Sequence, residues 1–176
     1  MPIDAIPGTL GMASQSGTYV TQTLPYMQKR GIRFSKAVSV GNEADLDLVD
    51  VLEYLGDDEN TRAIALYIEG LRDAQRFLKV ARRIAPHKPI VAQYVGGSVA
   101  GARAGSSHTG ALAGPDYLYD GLFKQAGVIR VDSIEELYNQ SWALACQPPL
   151  KGRRIGILTN SGGPGIIATD SVERNN

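Results

Sequence analysis

Six short runs rich in apolar and β-branched residues recur along the chain, each followed by a stretch of helical periodicity. The runs are Thr9–Ser14, Lys36–Val40, Ala63–Ile68, Pro89–Val95, Gly127–Val131 and Arg154–Thr159. The stretches between and after them are Gly17–Arg30, Leu46–Leu55, Ala74–Ile84, Pro115–Gln125, Ile134–Ala145 and Gly165–Arg174. Runs such as "AIALYI" are apolar throughout rather than alternating, so both of their faces must be covered. Strand, helix, strand with doubly buried strands predicts an α/β fold, a doubly wound parallel sheet with helices on both faces. Helix boundaries carry their own signals. Asp45, Asp73 and Ser133 stand where N-caps are needed, and Ser133 with Glu136 has the spacing of a capping box. Gly31, Gly56 and Gly127 stand near helix ends, where a left-handed residue is wanted.

The first five units are enough for one domain, residues 1–146, of flavodoxin-like or Rossmann-like order. "QPPLKGR", residues 147–153, reads as a linker because its proline pair cannot continue a helix. Residues 154–176 then read as the first βα unit of a second domain. The chain stops at "SVERNN" with a helix under way, the pattern of a piece of a longer protein.

Composition narrows the class. A chain of 176 residues with 43% hydrophobic and 20% charged residues can form a real core. Its formal net charge is zero and it has no long basic run, which argues against nucleic acid and anionic membranes as partners. No apolar run approaches the roughly 20 residues that span a bilayer, and the start is not that of a signal peptide. The single Cys146 excludes an internal disulfide and a cysteine metal site. A reducing, cytoplasmic compartment is the expectation.

"LGMASQSGTYVTQ" is echoed by "IGILTNSGGPGIIAT". Each copy is a strand, a polar Ser-Gly turn, then a helix. Small residues let N–H groups at a helix start approach an anion, and the helix dipole favours negative charge there. Ser14, Gln15, Ser16 and Gly17 form one candidate phosphate cradle; Asn160, Ser161, Gly162 and Gly163 form the other. Neither matches the Walker or the G-x-G-x-x-G pattern, and each also reads as a tight βα turn.

Glu69 directly follows the third strand, at the end of the sheet where ligands bind in open α/β folds. It reads equally as a loop acid paired with Arg72. His108 lies in "ARAGSSHTGALAG", within a glycine-rich excursion from Gly96 to Gly114 that is long for a compact domain. Imidazole titrates near neutrality and is also a nucleophile. Attack on phosphorus needs one ring nitrogen free and the other N–H held by an acceptor, and Glu69 could serve as that acceptor. No second histidine or cysteine lies near enough for zinc, and no G-x-S-x-G elbow is present. A surface histidine in a loop is the plain alternative for His108, and the only reading for His87.

"GMASQSG", "GNEADLDLVDVLEYL", "YIEG", "ARAGSSHTGALAG" and "TNSGGPGIIATD" occur in the order found in the NDP-forming acyl-CoA synthetases, the family of ADP-forming acetyl-CoA synthetase, related to succinyl-CoA synthetase. The resemblance covers nearly the whole chain. It implies a flavodoxin-like domain followed by the start of a ligase domain. It also implies an acid–CoA ligase that interconverts acyl-CoA, ADP and phosphate with carboxylic acid, CoA and ATP through a phosphohistidine. His108 matches the phosphorylated histidine and Glu69 the glutamate that orients its ring. Ser107, Thr109 and Gly110 match the loop that closes around the phosphoryl group, and the two Ser-Gly turns match the helix starts that steady it. CoA, ATP or ADP and Mg2+ are implied for the full enzyme, with none held tightly by this piece. A CoA-binding Rossmann domain and an ATP-grasp domain are the implied partners, in an assembly of several domains or subunits. Where the family pattern carries Lys and Arg after the fourth strand, this chain has Tyr94 and Gly97. The alternative is a non-catalytic ligand-sensing module, as in acetyltransferase-fused relatives; the presence of His108 together with Glu69 favours catalysis.

Overall fold

A computed structural model describes residues 6–101, 114–148, 150, 152 and 154–175. Five parallel strands form its sheet: β1 (Leu10–Ser14), β2 (Phe34–Ser39), β3 (Ala63–Ile68), β4 (Ile90–Tyr94) and β5 (Ile129–Val131). The helices are α1 (Gly17–Lys29), α2 (Leu48–Asp57), α3 (Ala74–Ile84), α4 (Asp116–Ala126), α5 (Ile134–Cys146) and α6 (Gly162–Arg174). The strand order is β2-β1-β3-β4-β5, the flavodoxin-like order rather than the Rossmann one.

Two cores form because the central strands are buried on both faces, as their unbroken apolar character predicts. On one face α1 and α5 supply Met27, Leu137, Tyr138 and Ala145 to Leu10, Met12, Ala63, Ala65 and Val91. On the other, α2, α3 and α4 supply Leu52, Leu55, Phe77, Ile84 and Phe123 to Ile64, Leu66, Ile68 and Ala92. The chain leaves β1 towards β2 through α1, but leaves β3 towards β4 through α3 on the opposite face. The connections therefore diverge between β1 and β3, and the carboxyl ends of those two strands are where the crevice of an open α/β sheet lies.

Three boundary expectations change. Asp47, not Asp45, caps α2, in a full capping box: its side chain accepts from Asp50 N–H and the Asp50 carboxylate accepts from Asp47 N–H. Leu46 is consequently outside the helix and 61% exposed. Gly31 and Gly127 are left-handed at φ 85° and 72°, as a helix end requires. Gly56, by contrast, lies inside α2, and a Cβ there would stand 2.4 Å from Ile84 Cδ1. It is needed for close approach of α3, not for a turn. The third change is at 154–159, which is exposed and forms no strand. A parallel strand needs a neighbour to take its hydrogen bonds, and no described strand pairs with it. α6 still forms, and it buries none of its residues.

Edge strand β2 is tied to the α2–β3 turn by Asp58. Thr61 Oγ1 donates to Asp58 Oδ2 at 2.7 Å, and Lys36 Nζ lies 2.9 Å from Oδ1. The Thr61 hydroxyl and then the Lys36 ammonium hold the Asp58 carboxyl down at about 2. A depressed carboxyl contributes stability that is complete above its unfolded value of about 4 and lost as pH falls through about 2. Asp58→Asn should therefore cost about 1–3 kcal/mol at neutral pH. In thermal unfolding followed by circular dichroism, the gap from the parent chain should close as the pH approaches 2.

Candidate functional site

The crevice is built around Gln15, the residue that follows β1. Its N–H donates to Tyr67 O at 3.2 Å, continuing the β1–β3 pairing by one step. Its side chain turns to the crest of the sheet and uses every hydrogen-bonding position it has. Nε2 donates to Glu43 Oε1 and to Gly70 O, both at 2.8 Å. Oε1 accepts from Glu69 N–H at 2.5 Å and Gly70 N–H at 3.1 Å. The next amide, Leu71 N–H, donates to Tyr119 Oη at 3.0 Å. Three consecutive N–H groups of the turn after β3 are thus held by side chains from elsewhere in the fold.

Glu43 completes this brace. It is 5% exposed, and its Oε1 also accepts from Leu48 N–H, the first residue of α2. Arg72 Nε stands 3.5 Å from Glu43 Oε2. Glu43 is the one described non-glycine residue with positive φ, at 55°. That conformation costs an L-residue roughly 1–2 kcal/mol, and the three partners of its carboxylate hold it there.

Beside the brace, α1 begins with its first turn open. Ser16 is the N-cap, yet its side chain makes no capping bond. Ser14 Oγ instead accepts from Ser16 N–H at 3.0 Å and donates to Ser16 O at 2.8 Å. Gly17 and Thr18, the first residues of the helix, are exposed and stand at the positive end of the helix dipole. The echo seen in sequence returns here as geometry. Ser161 is the N-cap of α6 without a capping bond, and Thr159 Oγ1 bridges Ser161 N–H and O at 3.1 and 2.9 Å, as Ser14 does for Ser16. By contrast α2, α3 and α5 are capped by Asp47, Asp73 and Ser133, while α4 follows Pro115 without a side-chain cap.

Glu69 is half-buried and follows Tyr67, whose ring stacks on Tyr19 of α1 with centroids 4.1 Å apart. Burial is the main reason the Tyr67 hydroxyl is pushed well above its ordinary value, with the neighbouring Tyr19 and the Glu69 carboxylate adding to it. Sequence reasoning paired the "SQSG" turn with Glu69, and the two do meet. Gln15 is the exception within that turn: its amide is fully engaged inside the chain and has no donor left for an anion. Asn160, Ser161, Gly162 and Gly163 stand at the α6 start as expected. Ser107, His108, Thr109 and Gly110 lie outside the described residues. Among the described residues, no three His, Cys, Asp or Glu side chains gather as a metal site, and no helix is long and apolar enough to cross a membrane.

Sequence reasoning missed Glu43 and Tyr119. Glu43 sits inside a quoted motif, but nothing local marks an acid whose carboxylate turns inward. Tyr119 is presented by α4, and its ring stacks on Tyr94 at 3.5 Å while Tyr94 Oη donates to Gly114 O at 2.7 Å. At Gly97 a Cβ would stand 2.5 Å from Asp116 Oδ1, so the two departures from the family pattern accompany a locally closed packing around α4.

The family described as succinyl-CoA ligase like flavodoxin domain matches residues 7–144. The chain belongs to that family. Among relatives in it, the chain is 45% identical over 172 residues to the acetate–CoA ligase (ADP-forming) I subunit alpha of Pyrococcus furiosus, covering 98% of this chain and 37% of that one. It is 46% identical over 164 residues to the acetate–CoA ligase (ADP-forming) of Methanocaldococcus jannaschii, covering 93% and 23%. A solved structure of an acetyl-coenzyme A synthetase from Ca. Korarchaeum cryptofilum, in complex with phosphate and ADP, superposes with a TM-score of 0.91 at 38% identity, over 98% of this chain and 38% of that one. The family's chain here thus spans well under half the length of these relatives.

The Ser-Gly turns at the uncapped starts of α1 and α6, which the uncapped α4 lacks, predict a selective response to anions. In a phosphate titration of the 15N-labelled chain, the amides of Gly17 and Thr18 and those of Gly162 and Gly163 should shift with saturation. The starts of α2, α3 and α5, whose donors are already taken, should stay still. Uniform shifts at all five starts would assign the response to ionic strength.

Proposed function

We propose that the chain is the phosphohistidine-bearing part of an ADP-forming acid–CoA ligase. The observation that carries this reading is the crevice between β1 and β3, where an open helix start and a braced glutamate stand together. Identity of 45% with an ADP-forming acetate–CoA ligase subunit across 98% of the chain supports it. The reaction proposed is acyl-CoA plus phosphate plus ADP giving carboxylic acid, CoA and ATP, in either direction.

In the first step a phosphate oxygen attacks the thioester carbon, the C–S bond breaks, and CoA leaves as an acyl phosphate forms. A ring nitrogen of His108 then attacks phosphorus, the acyl–O–P bond breaks, and the carboxylate leaves. The phosphoryl group passes from His108 to ADP. Glu69 accepts a hydrogen bond from the other ring nitrogen, which fixes the tautomer and balances the charge developing on the imidazole. The N–H groups at the starts of α1 and α6, with Ser14 and Ser16 shaping the first and Asn160 and Ser161 the second, receive the phosphoryl oxygens at the two ends of its path. Ser107, Thr109 and Gly110 close around it. Such preorganised donors are the main source of catalysis in phosphoryl transfer.

CoA, nucleotide and Mg2+ are proposed to be held by a Rossmann domain and an ATP-grasp domain, on the same polypeptide or a partner. Residues 154–176 would begin a further ligase domain, residues 1–146 being the flavodoxin-like one and 147–153 the link. The exposed Ile155, Ile157, Ile166 and Ile167 fit a unit whose packing partners lie beyond it. A cytoplasmic setting follows from the substrates.

Incubating the complete enzyme with radiolabelled ATP should give an acid-labile, base-stable label on the protein. His108→Ala should abolish the label. Glu69→Gln should keep the thermal midpoint yet slow labelling by about 10²–10⁴-fold, the range for a removed acid–base partner. Normal labelling of either variant would overturn the role given to that residue.

A further inference from the structure

We propose that Gln15 is a positioning residue for phosphoryl transfer, acting through Glu69, with Glu43 as its anchor. The proposal rests on the reading of Glu69 as the group that orients the phosphorylated imidazole. Its basis is separate from that reading: four hydrogen bonds converge on one buried side-chain amide and join three segments that are far apart in sequence.

Gln15 is 9% exposed and Glu43 is 5% exposed, so their bond is made away from water. Oε1 of Gln15 fixes the Glu69 and Gly70 amides, while Nε2 fixes the Gly70 carbonyl. The turn that carries Glu69 is therefore held at three consecutive peptide groups, with both the N–H and the C=O of Gly70 engaged. Glu43 in turn fixes which way the Gln15 amide faces, because a carboxylate accepts only from the NH2 end. Arg72 Nη2 donates to Asn42 O at 3.1 Å, which ties the Glu43 turn to the chain just after the Glu69 turn. A left-handed Glu43 is the backbone form that turns this carboxylate inward, and no other described non-glycine residue adopts it. A fold needs no such arrangement merely to end a strand. It suits a side chain that must meet a reacting ring within a fraction of an ångström.

The test exchanges the two partners in the complete enzyme. Gln15→Glu keeps an oxygen for the Glu69 and Gly70 amides but sets a second oxygen against the Glu43 carboxylate and the Gly70 carbonyl. Histidine phosphorylation from ATP should slow by about 10²-fold, with the KM for nucleotide unchanged, since a positioning group acts in the transition state. Glu43→Gln added to Gln15→Glu restores one donor facing one carboxylate, while taking the acceptor from Leu48 N–H. The double variant should recover the rate to within about tenfold of the parent.

Thermal midpoints and the Glu69→Gln variant are measured alongside. A Gln15→Glu rate equal to the parent's overturns the proposal. So does a loss no larger than the unfolded fraction at the assay temperature, or a double variant that regains its midpoint but not its rate. If Glu69→Gln itself labels normally, the ring-orienting reading fails first. If Glu69→Gln is slow and Gln15→Glu is not, the brace alone fails.

Discussion

Strand β1 is paired on both sides, to β2 and to β3, and covered on both faces, and the carboxyl end of the sheet takes its shape from that. β1 connects outward to β2 while β3 connects the other way to β4, so right-handed crossovers put α1 and α3 on opposite faces. The two connections diverge, and the gap between them is lined by whatever residues follow the two strands. Those residues are Gln15 to Gly17 after β1 and Glu69 to Leu71 after β3. The backbone polar groups exposed by ending two central strands still need partners. In this protein they find them in the Gln15 amide and the Tyr119 hydroxyl rather than in water.

Electrostatic economy at the helix starts follows a division of labour. Three starts are closed by a side chain, Asp47, Asp73 and Ser133 each accepting from the third amide of the helix, while α4 begins behind Pro115 with no side-chain cap. Where the turn is Ser-Gly or Asn-Ser-Gly-Gly, the N-cap serine makes no capping bond and a hydroxyl two residues earlier, Ser14 or Thr159, bridges its N–H and C=O. The first amides of α1 and α6 are left exposed. Leaving donors open costs stability at each site, and a bound anion would offset it. The same local device at both starts gives physical content to the sequence echo.

Much of this was legible in sequence because it is local. The unbroken apolar runs predicted doubly covered strands, and "AIALYI" became β3 with the bounds expected. Asp73 and Ser133 cap as their positions suggest, although Glu136 reaches back to Asp132 N–H and not to the cap's own. Asp47 displaced Asp45 because the capping box depends on a partner three residues on, and Asp50 provides it. Gly56 looked like a helix end because glycine usually is one; its real constraint is the Ile84 side chain of another helix. The run 154–159 has strand composition but lacks a neighbouring strand among the described residues, and composition cannot supply hydrogen bonds.

Periodicity, turn chemistry and small-residue spacing settled the fold class and the placing of Glu69 at a strand's end, and marked both Ser-Gly turns as candidate cradles. These depend on residues within about one helical turn of each other, where the chain's own stereochemistry decides. The brace could not be read in that way. Gln15, Glu43, Gly70 and Tyr119 are separated by up to about a hundred positions, and none is marked out within its own segment. Only the strand order, which sets β1 beside β3 with the β2–α2 turn across the crest, turns a glutamine in a Ser-Gly loop into the clasp of a site. Long-range pairing chooses partners by shape and register in space, and those are properties of the folded chain alone.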